Sequence, residues 1–143
     1  MTISLPIVAV LGLFVGTAGL ADIQPPSDET PIERLVESLA DSDSANRLEA
    51  ARALEKRGPD AAEAVAALAK AIEDPEPDVR AAVARALGAI GPDAKSAVPA
   101  MIAALASDDF TTAGERVWSA IYPALGRIGP SAVPDLIVAL KSS

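Results

Sequence analysis

The sequence predicts an all-α fold, a short α-solenoid in which antiparallel helix pairs stack on one another. Apolar positions recur with a period in the thirties, and within each period they keep helical spacing. Half of the 143 residues are hydrophobic but only 3% are aromatic, so the core has to consist mainly of aliphatic residues. Because Ala loses no side-chain entropy in a helix, this composition favours closely packed helices over a sheet.

The first 21 residues are uncharged and end in the small-residue pattern GLA. A secretory signal peptide, cleaved after Ala21 or Ala18, fits this segment best, although no Lys or Arg precedes its apolar run. Residues 5–21 would also suffice for an uncleaved membrane anchor, and a buried N-terminal helix is a third alternative. The first two alternatives predict an extracytoplasmic protein, either periplasmic or secreted, or one that is membrane-anchored by residues 5–21.

A Pro-rich linker is expected over residues 22–31, DIQPPSDETP. Thr30 or Asp28 is expected to cap a helix that begins at Pro31, since Pro is well tolerated in the first helical turn. Residues 32–143 are then expected to form the repeat domain.

The repeat domain contains aligned sets of apolar residues. Two sets are spaced by 33, 33 and 35 residues and a third by 33 and 38, with Gly-Pro pairs in step with the third. Each period predicts a helix A and a helix B, which gives about 3.5 repeats and seven helices: a lone B helix near 31–40 and three A and B pairs. The sets are Leu35, Leu68, Met101 and Leu136; Leu39, Ile72, Leu105 and Leu140; and Leu54, Leu87 and Leu125.

The central unit shows how each pair begins and ends. Helix A is expected over about 78–90, where apolar residues fall on one face. Gly91 suits a left-handed cap position, and Pro92 cannot continue the helix. Helix B follows with Pro99 in its first turn, and Pro134 occupies the matching place in the last unit.

The segment DPEPDVRAAVARALGAIGPDAKSAVPAMIAAL resembles HEAT-like repeats, specifically the short class named after phycobilisome lyase subunits. The resemblance extends from residue 31 to residue 140. It implies a structural ladder built from an Asp and an Arg six positions apart, which Asp41 with Arg47 and Asp74 with Arg80 match. The Asp is expected to accept hydrogen bonds from helix N-terminal amides, and the Arg to bridge to a neighbouring unit.

The third unit departs from this pattern. It has five more residues than the preceding unit within 108–115, and Trp118 stands at the position of the ladder Arg. Phe110, Trp118 and Tyr122 are possible partner-binding residues, because aromatic side chains make good contact hot spots. Alternatively, they fill the space opened by the extra residues or cover the apolar end of the stack.

One acidic run invites a comparison with calcium loops. It lacks the alternating ligands, the central Gly and the closing Glu of an EF-hand, so a solvated turn between repeats is expected and no metal site. The run consists of Glu73, Asp74, Glu76 and Asp78.

A second set of charged residues is expected on the polar faces of the B helices, which line the concave side of HEAT-like stacks. These residues either contact a partner or are merely solvated. They are Glu63, Lys70, Lys95 and Lys141.

The amino-acid composition argues against several classes of binding partner and active site. The formal net charge of −8 comes from 12 basic residues spread among 20 acidic ones, which argues against a nucleic-acid partner. The chain has no Cys and no His, which excludes disulfides, thiol chemistry, histidine bases and the usual zinc or haem ligand sets. We therefore expect no catalytic residues, no cofactor and no enzymatic activity.

A non-catalytic protein-interaction or scaffold module is the function that these observations favour. Its partner is expected to be another protein, with membrane contact only if the N-terminal segment stays uncleaved. One alternative, implied by the repeat class alone, is a bilin-lyase-like subunit that acts on phycobiliproteins. Another is a structural homo-oligomer, such as a homodimer, that buries the last helix, 134–140, against a second copy.

Overall fold

The computed structural model describes residues 30–107 and 112–141, which form seven α-helices and three 3₁₀ segments and contain no strand. The all-helical fold class is therefore confirmed. The proposed signal or anchor segment and most of the linker lie outside the described residues. The helices are α1 (Ile32–Ser38), α2 (Ser44–Arg57), α3 (Val65–Ala71), α4 (Pro77–Ile90), α5 (Val98–Ser107), α6 (Thr112–Ile128) and α7 (Val133–Lys141).

The helices form two layers. Helices α2, α4 and α6 pack side by side as the A layer, with α4 in the middle. Helices α1, α3, α5 and α7 form the B layer, in which α5 contacts both α3 and α7. The arrangement is that of a short helical solenoid, with a lone B helix followed by three pairs.

Helix α4 is the most completely buried element. Nine of its 14 residues are buried, because it has an A helix on each side and the B layer beneath it. Among the aligned residues, Leu39 and Leu125 are buried and Leu105 is partly buried. Those that are fully buried are Leu35, Leu54, Leu68, Ile72, Leu87 and Met101.

Each A helix ends at the residue before a Gly-Pro pair. The three glycines have φ values of 57°, 81° and 86°, a range in which a side chain is strained. Their ψ values of −131°, −140° and −162° differ from the left-handed helical value, so the predicted left-handed cap is wrong in this respect. The Pro that follows lies in a 3₁₀ segment that leads into the B helix.

The helix starts also differ from expectation at one place. Helix α1 begins at Ile32, so Pro31 occupies the N-cap position and not the first helical position, and no side-chain cap bond is found there within the described residues. Asp28 lies outside them. The carbonyl of Thr30 instead accepts a 2.7 Å hydrogen bond from Nη2 of Arg57. Pro99 is the second residue of α5, as expected.

Close contact between α4 and α6 depends on Gly88. A Cβ placed on Gly88 would lie 2.7 Å from the Cα of Ala124 and 2.8 Å from its Cβ. Both distances are shorter than real carbon contacts, so the absence of a side chain lets the two backbones approach. Gly126 occupies the corresponding position on α6, and among the described residues nothing lies within 4 Å of a Cβ placed there.

We predict opposite effects on stability for the same substitution at these two glycines. Gly88→Ala should lower the free energy of unfolding by about 1–3 kcal/mol, because the clash is with backbone and α6 has to shift. Gly126→Ala should raise it by about 0.5–1 kcal/mol, because Ala favours the helix and meets open space. Urea denaturation of both variants, followed by circular dichroism, measures the difference. Equal effects at the two positions would contradict this packing.

Candidate functional site

The loops before the A helices hold the ladder residues. Nε of Arg47 donates to Oδ2 of Asp74 at 2.6 Å, and its Nη2 donates to Oδ1 at 3.0 Å. Arg47 belongs to α2, whereas Asp74 precedes α4, so this two-pronged ion pair joins neighbouring units. The two side chains are only 12% and 6% exposed, and this shielding strengthens the charge-assisted hydrogen bonds.

Arg47 also donates hydrogen bonds to backbone carbonyls of the loop that precedes its own helix. Nη1 of Arg47 donates to the carbonyls of Asp41 and Ser42, at 2.9 and 3.1 Å. Arg80 repeats this arrangement one unit later, where its Nη1 donates to the carbonyls of Asp74 and Pro75, at 2.8 and 3.3 Å. In the first two inter-repeat loops, the arginine six residues after the ladder aspartate therefore holds the loop closed.

The two ladder aspartates act at a position that differs from the expected one. Oδ1 of Asp41 accepts from the amide of Asp43 at 2.8 Å, and Oδ1 of Asp74 accepts from the amide of Glu76 at 2.9 Å. Asp43 and Glu76 are the N-cap residues themselves. Each ladder aspartate thus shapes the loop just before the helix, and Asp43 is the side chain that caps the α2 amide of Ala45.

The hydrogen bonds of the ladder also shift the pKa values of Asp41 and Arg47. The hydrogen bond from the Asp43 amide lowers the pKa of the Asp41 carboxyl, and the side chain of Asn46 and the charge of Arg47 act in the same direction against a smaller effect of burial. The hydrogen bonds with Asp74 raise the pKa of the Arg47 guanidinium. Both groups are therefore held in their charged forms.

The third unit has a different set of contacts. Ser107 stands one 33-residue period after Asp74, and Trp118 stands at the register of Arg80. Arg116, two residues before Trp118, donates from Nη1 to Oδ1 of Asp78 at 2.8 Å. Both side chains of this pair are more than half exposed, so it adds little stability compared with the shielded pair between the first two units.

The candidate aromatic residues lie at the C-terminal end of the stack. Trp118 is partly buried, and Tyr122 is 58% exposed one turn later on the same helix. The centroids of their rings are 5.7 Å apart, at an interplanar angle of 57°. Phe110 lies outside the described residues. Whether these aromatics bind a partner stays a prediction.

The B layer presents an exposed surface of which sequence reasoning named only Lys70 and missed the apolar part. We define the B-helix surface by six exposed residues, two from each of α3, α5 and α7. Equivalent positions along the stack change from Lys70 to Ala103 to Val138, and Val138 is 62% exposed. Extending the period from the core positions to their neighbours would have revealed this change. The B-helix surface consists of Ala66, Lys70, Pro99, Ala103, Pro134 and Val138.

The four charged residues predicted for the B helices are all exposed. Glu63 and Lys95 belong to the 3₁₀ segments that precede α3 and α5, whereas Lys70 and Lys141 lie in the last turns of α3 and α7. Helix α5, VPAMIAALAS, has no charged residue in its sequence. The middle of the B layer is therefore uncharged along the whole of this helix.

Neither a metal cluster nor a membrane span is found in the part of the chain that the structure describes. Within residues 30–107 and 112–141, no three acidic, Cys or His side chains are grouped so that they could hold a metal ion. None of the helices in these ranges combines the length and the apolar character that crossing a membrane requires. The acidic run, which extends into the first turn of α4, instead supplies Asp74 to the ladder and Asp78 to the pair with Arg116.

Comparison with known proteins identifies the repeats. A family model described as HEAT repeats matches residues 32–120, which is more than half of the chain. The matched region extends from α1 into α6 and includes all four ladder residues. Neither the curated proteins nor the solved structures contain a match to this chain.

We predict that the shielded carboxylate matters far more for stability than the exposed one. Asp74→Ala should lower the free energy of unfolding by about 2–4 kcal/mol, because it strands a guanidinium between two units. The matched Asp78→Ala should change it by less than about 0.5 kcal/mol, because the ion pair of Asp78 is solvated. Thermal and urea denaturation of both variants test this ranking. A similar loss in the two variants would contradict it.

We also predict an acid-labile contribution from Asp41. The pKa of the Asp41 carboxyl is lower in the folded state than in the unfolded state, where it is near 3.8. The ionised carboxyl therefore contributes fully to the free energy of unfolding above the unfolded pKa, and this contribution is lost as the pH falls through the folded pKa. The stability difference between the native chain and Asp41→Asn should therefore be largest near neutral pH and disappear in strong acid. Urea denaturation from pH 7 to pH 2 measures it, and an NMR titration midpoint of 3.8 or higher for Asp41 would contradict the shift.

Proposed function

This chain belongs to the HEAT-repeat family, and from that premise we propose that it is a non-catalytic module that holds another protein on its B-helix surface. HEAT repeats generally mediate protein–protein interaction. The observation that carries the proposal is the uncharged exposed row on α5, which continues to the exposed Val138 of α7. Such a row offers a partner apolar contact without the cost of removing water from a charge.

The charges around this row indicate what fits it. Lys70 lies at one end of the B-helix surface, and Ala103 and Val138 occupy the equivalent places in the next two units. A partner segment with an acidic side chain near Lys70 and small apolar side chains along α5 and α7 is complementary to this order. Opposite charge at one end would set the orientation of the segment, whereas the apolar contacts would supply most of the affinity.

The absence of catalysis is part of the proposal. The sequence provides no Cys and no His, so any reaction would have to use carboxylates, hydroxyls, Lys or Arg. The best-shielded carboxylate, Asp74, already accepts three hydrogen bonds, two from Arg47 and one from the amide of Glu76. Asp74 therefore has a structural role, in which it accepts hydrogen bonds from the ladder arginine and from the loop backbone.

We further propose that the module works outside the cytoplasm, either exported or tethered by residues 5–21. The support is the sequence pattern of residues 1–21, an uncharged apolar run before the small-residue pattern GLA. Determination of the N-terminus of the protein made in its native host tests this. A mature chain that begins at Asp22 supports export, and an intact N-terminus in a soluble cytoplasmic fraction would refute it.

Two other functions are weaker. The phycobilisome-lyase class of the repeats, and with it a bilin-lyase-like subunit, rests on sequence resemblance alone. Chromophore attachment after co-expression with a phycobiliprotein and bilin would support that function. Self-association through the last helix has a specific observation in its favour, because Val133 and Ile137 are 48% and 46% exposed on α7.

We predict that one exposed substitution on the B-helix surface weakens partner binding. Ala103→Glu places a charge in the middle of the apolar row and should weaken binding by about tenfold or more without affecting the fold. The matched control is Ala45→Glu, also exposed but near the start of α2 in the A layer. Saturation binding to envelope or extracellular fractions of the native host compares the three proteins. No saturable partner, or equal loss in both variants, would contradict the proposal.

A further inference from the structure

We propose that the C-terminal end of the stack docks a second copy of this chain, so that two stacks pair end to end in a symmetric dimer. The contact uses the outward face of α6 and the neighbouring part of α7. We define this end surface by Ser119, Tyr122, Gly126, Val133 and Ile137, all of which are exposed. It is separate from the B-helix surface and does not depend on partner binding there.

The end surface repeats an interface that already exists inside the stack. Gly88 of α4 accommodates Ala124 of α6, and a Cβ placed on Gly91 would lie 3.9 Å from the carbonyl oxygen of Arg127. Gly126 and Gly129 follow these two glycines by the same spacing of 38 residues. Among the described residues, nothing lies within 4 Å of a Cβ placed on either of them. The last unit therefore presents to solvent the same backbone surface that the central unit uses to hold its neighbour.

The end surface exposes large apolar side chains at positions that are buried in the central unit. The 38-residue spacing of the A helices relates Tyr122 to Ala84, and the 35-residue spacing of the last two B helices relates Val133 to Val98; both of these inner residues are fully buried. At the end of the stack, Tyr122 is 58% exposed and Val133 is 48% exposed. An exposed aromatic and an exposed valine, at positions whose counterparts in the central unit are buried, point to a covering partner.

The opposite end of the stack is polar, which excludes a head-to-tail arrangement. Asn46 and Glu49 on the outward face of α2 are exposed. Their counterparts on α4 are Val79 and Ala82, which are buried. Docking of this end on the apolar end surface would take the exposed ion pair of Glu49 and Arg52 out of water and bury it against Tyr122 and Val133, at a cost in free energy that the apolar contacts do not offset. The occupant of the end surface is therefore not the N-terminal end of another copy.

The end surface is instead complementary to itself. Tyr122 projects from α6, and Gly126, one turn later, leaves a gap on the same side of the helix. If two α6 helices cross antiparallel about residue 124, Tyr122 of each copy lies opposite Gly126 of the other copy. A two-fold axis makes this projection-into-gap contact twice. The same crossing places Ser119, a small side chain, opposite the open position at Gly129.

Cysteine cross-linking tests the crossing directly, because the natural chain has no Cys. Pro123 is exposed on α6 and lies one residue from the proposed centre, so Pro123→Cys should bring two thiols within reach of a short bis-maleimide. In the full-length chain we expect covalent dimer in at least about fivefold excess over the control Ser42→Cys, an exposed residue near the other end. No excess over the control, or preferential linkage of Pro123→Cys to Glu49→Cys in a mixture, would overturn the symmetric arrangement.

Two further variants distinguish an effect on dimer formation from an effect on folding. Tyr122→Glu should raise the dimer dissociation constant by about thirtyfold or more, the usual effect of removing an aromatic contact hot spot, while circular dichroism stays unchanged. Gly126→Ala should weaken the dimer while it stabilises the monomer, a combination that a purely structural effect would not give. Sedimentation equilibrium of the full-length proteins measures both. A monomeric natural chain at about 100 μM, or association that neither variant weakens, would overturn the proposal.

Discussion

Close approach of the A-helix backbones is the constraint on which the rest of this structure depends. Helix α4 contacts α2 on one side and α6 on the other, and small residues supply much of its buried surface. Where Gly88 meets Ala124, the space between the helices is too small for even one extra carbon. Dispersion contacts grow as the atoms of two helices come closer, so small residues give this core its density without aromatic side chains. The low aromatic content and the stacked fold therefore have the same cause.

Close packing by itself would not fix the relation between successive units, because smooth Ala-rich surfaces can slide. The ladder supplies a directional contact that apolar packing lacks. Arg47 binds two carbonyls of its own loop and the carboxylate of Asp74 in the next, so one guanidinium ties two inter-repeat loops together. Arg47 pairs with Asp74 through Nε and Nη2 while its Nη1 is bound to its own loop, so this planar contact fixes the position of one unit relative to the next. The ladder residues consequently belong to the framework, and the surfaces available for recognition lie elsewhere.

The two outer surfaces available for recognition arise from small departures from the repeat. On the B layer, Lys70 gives way to Ala103 and then to Val138, which turns a charged position into an apolar one along the stack. At the C-terminal end, Tyr122 replaces an alanine that is buried in the central unit. Neither change disturbs the core, because both side chains point away from it. The repeat can therefore vary its contacts with other molecules while its fold stays constant.

The helical class, the A and B pairing and the points at which helices stop could be predicted from the sequence, because they depend on local chemistry. Apolar spacing selects a helix, and a Gly-Pro pair ends it whatever lies nearby. The resemblance to HEAT-like repeats also pointed to the ladder residues, because the six-residue spacing of Asp and Arg can be matched within one loop and helix. Sequence reasoning misplaced the aspartate contacts by one position and the helix start at Pro31, since caps depend on backbone angles that several residues adopt equally well.

Which unit Arg47 reaches, why Gly88 has no side chain and which aligned residues face solvent could not be predicted, because these features depend on how the units stack. Gly88 and Gly126 occupy the same register in the sequence, yet one meets backbone and the other meets open space. Val98 and Val133 are likewise equivalent in register and opposite in burial. The physical reason is that burial is set by the neighbouring unit and not by the residue itself. The period in the sequence shows which positions are equivalent. The folded stack is needed to show which of these equivalent positions contact a neighbouring unit.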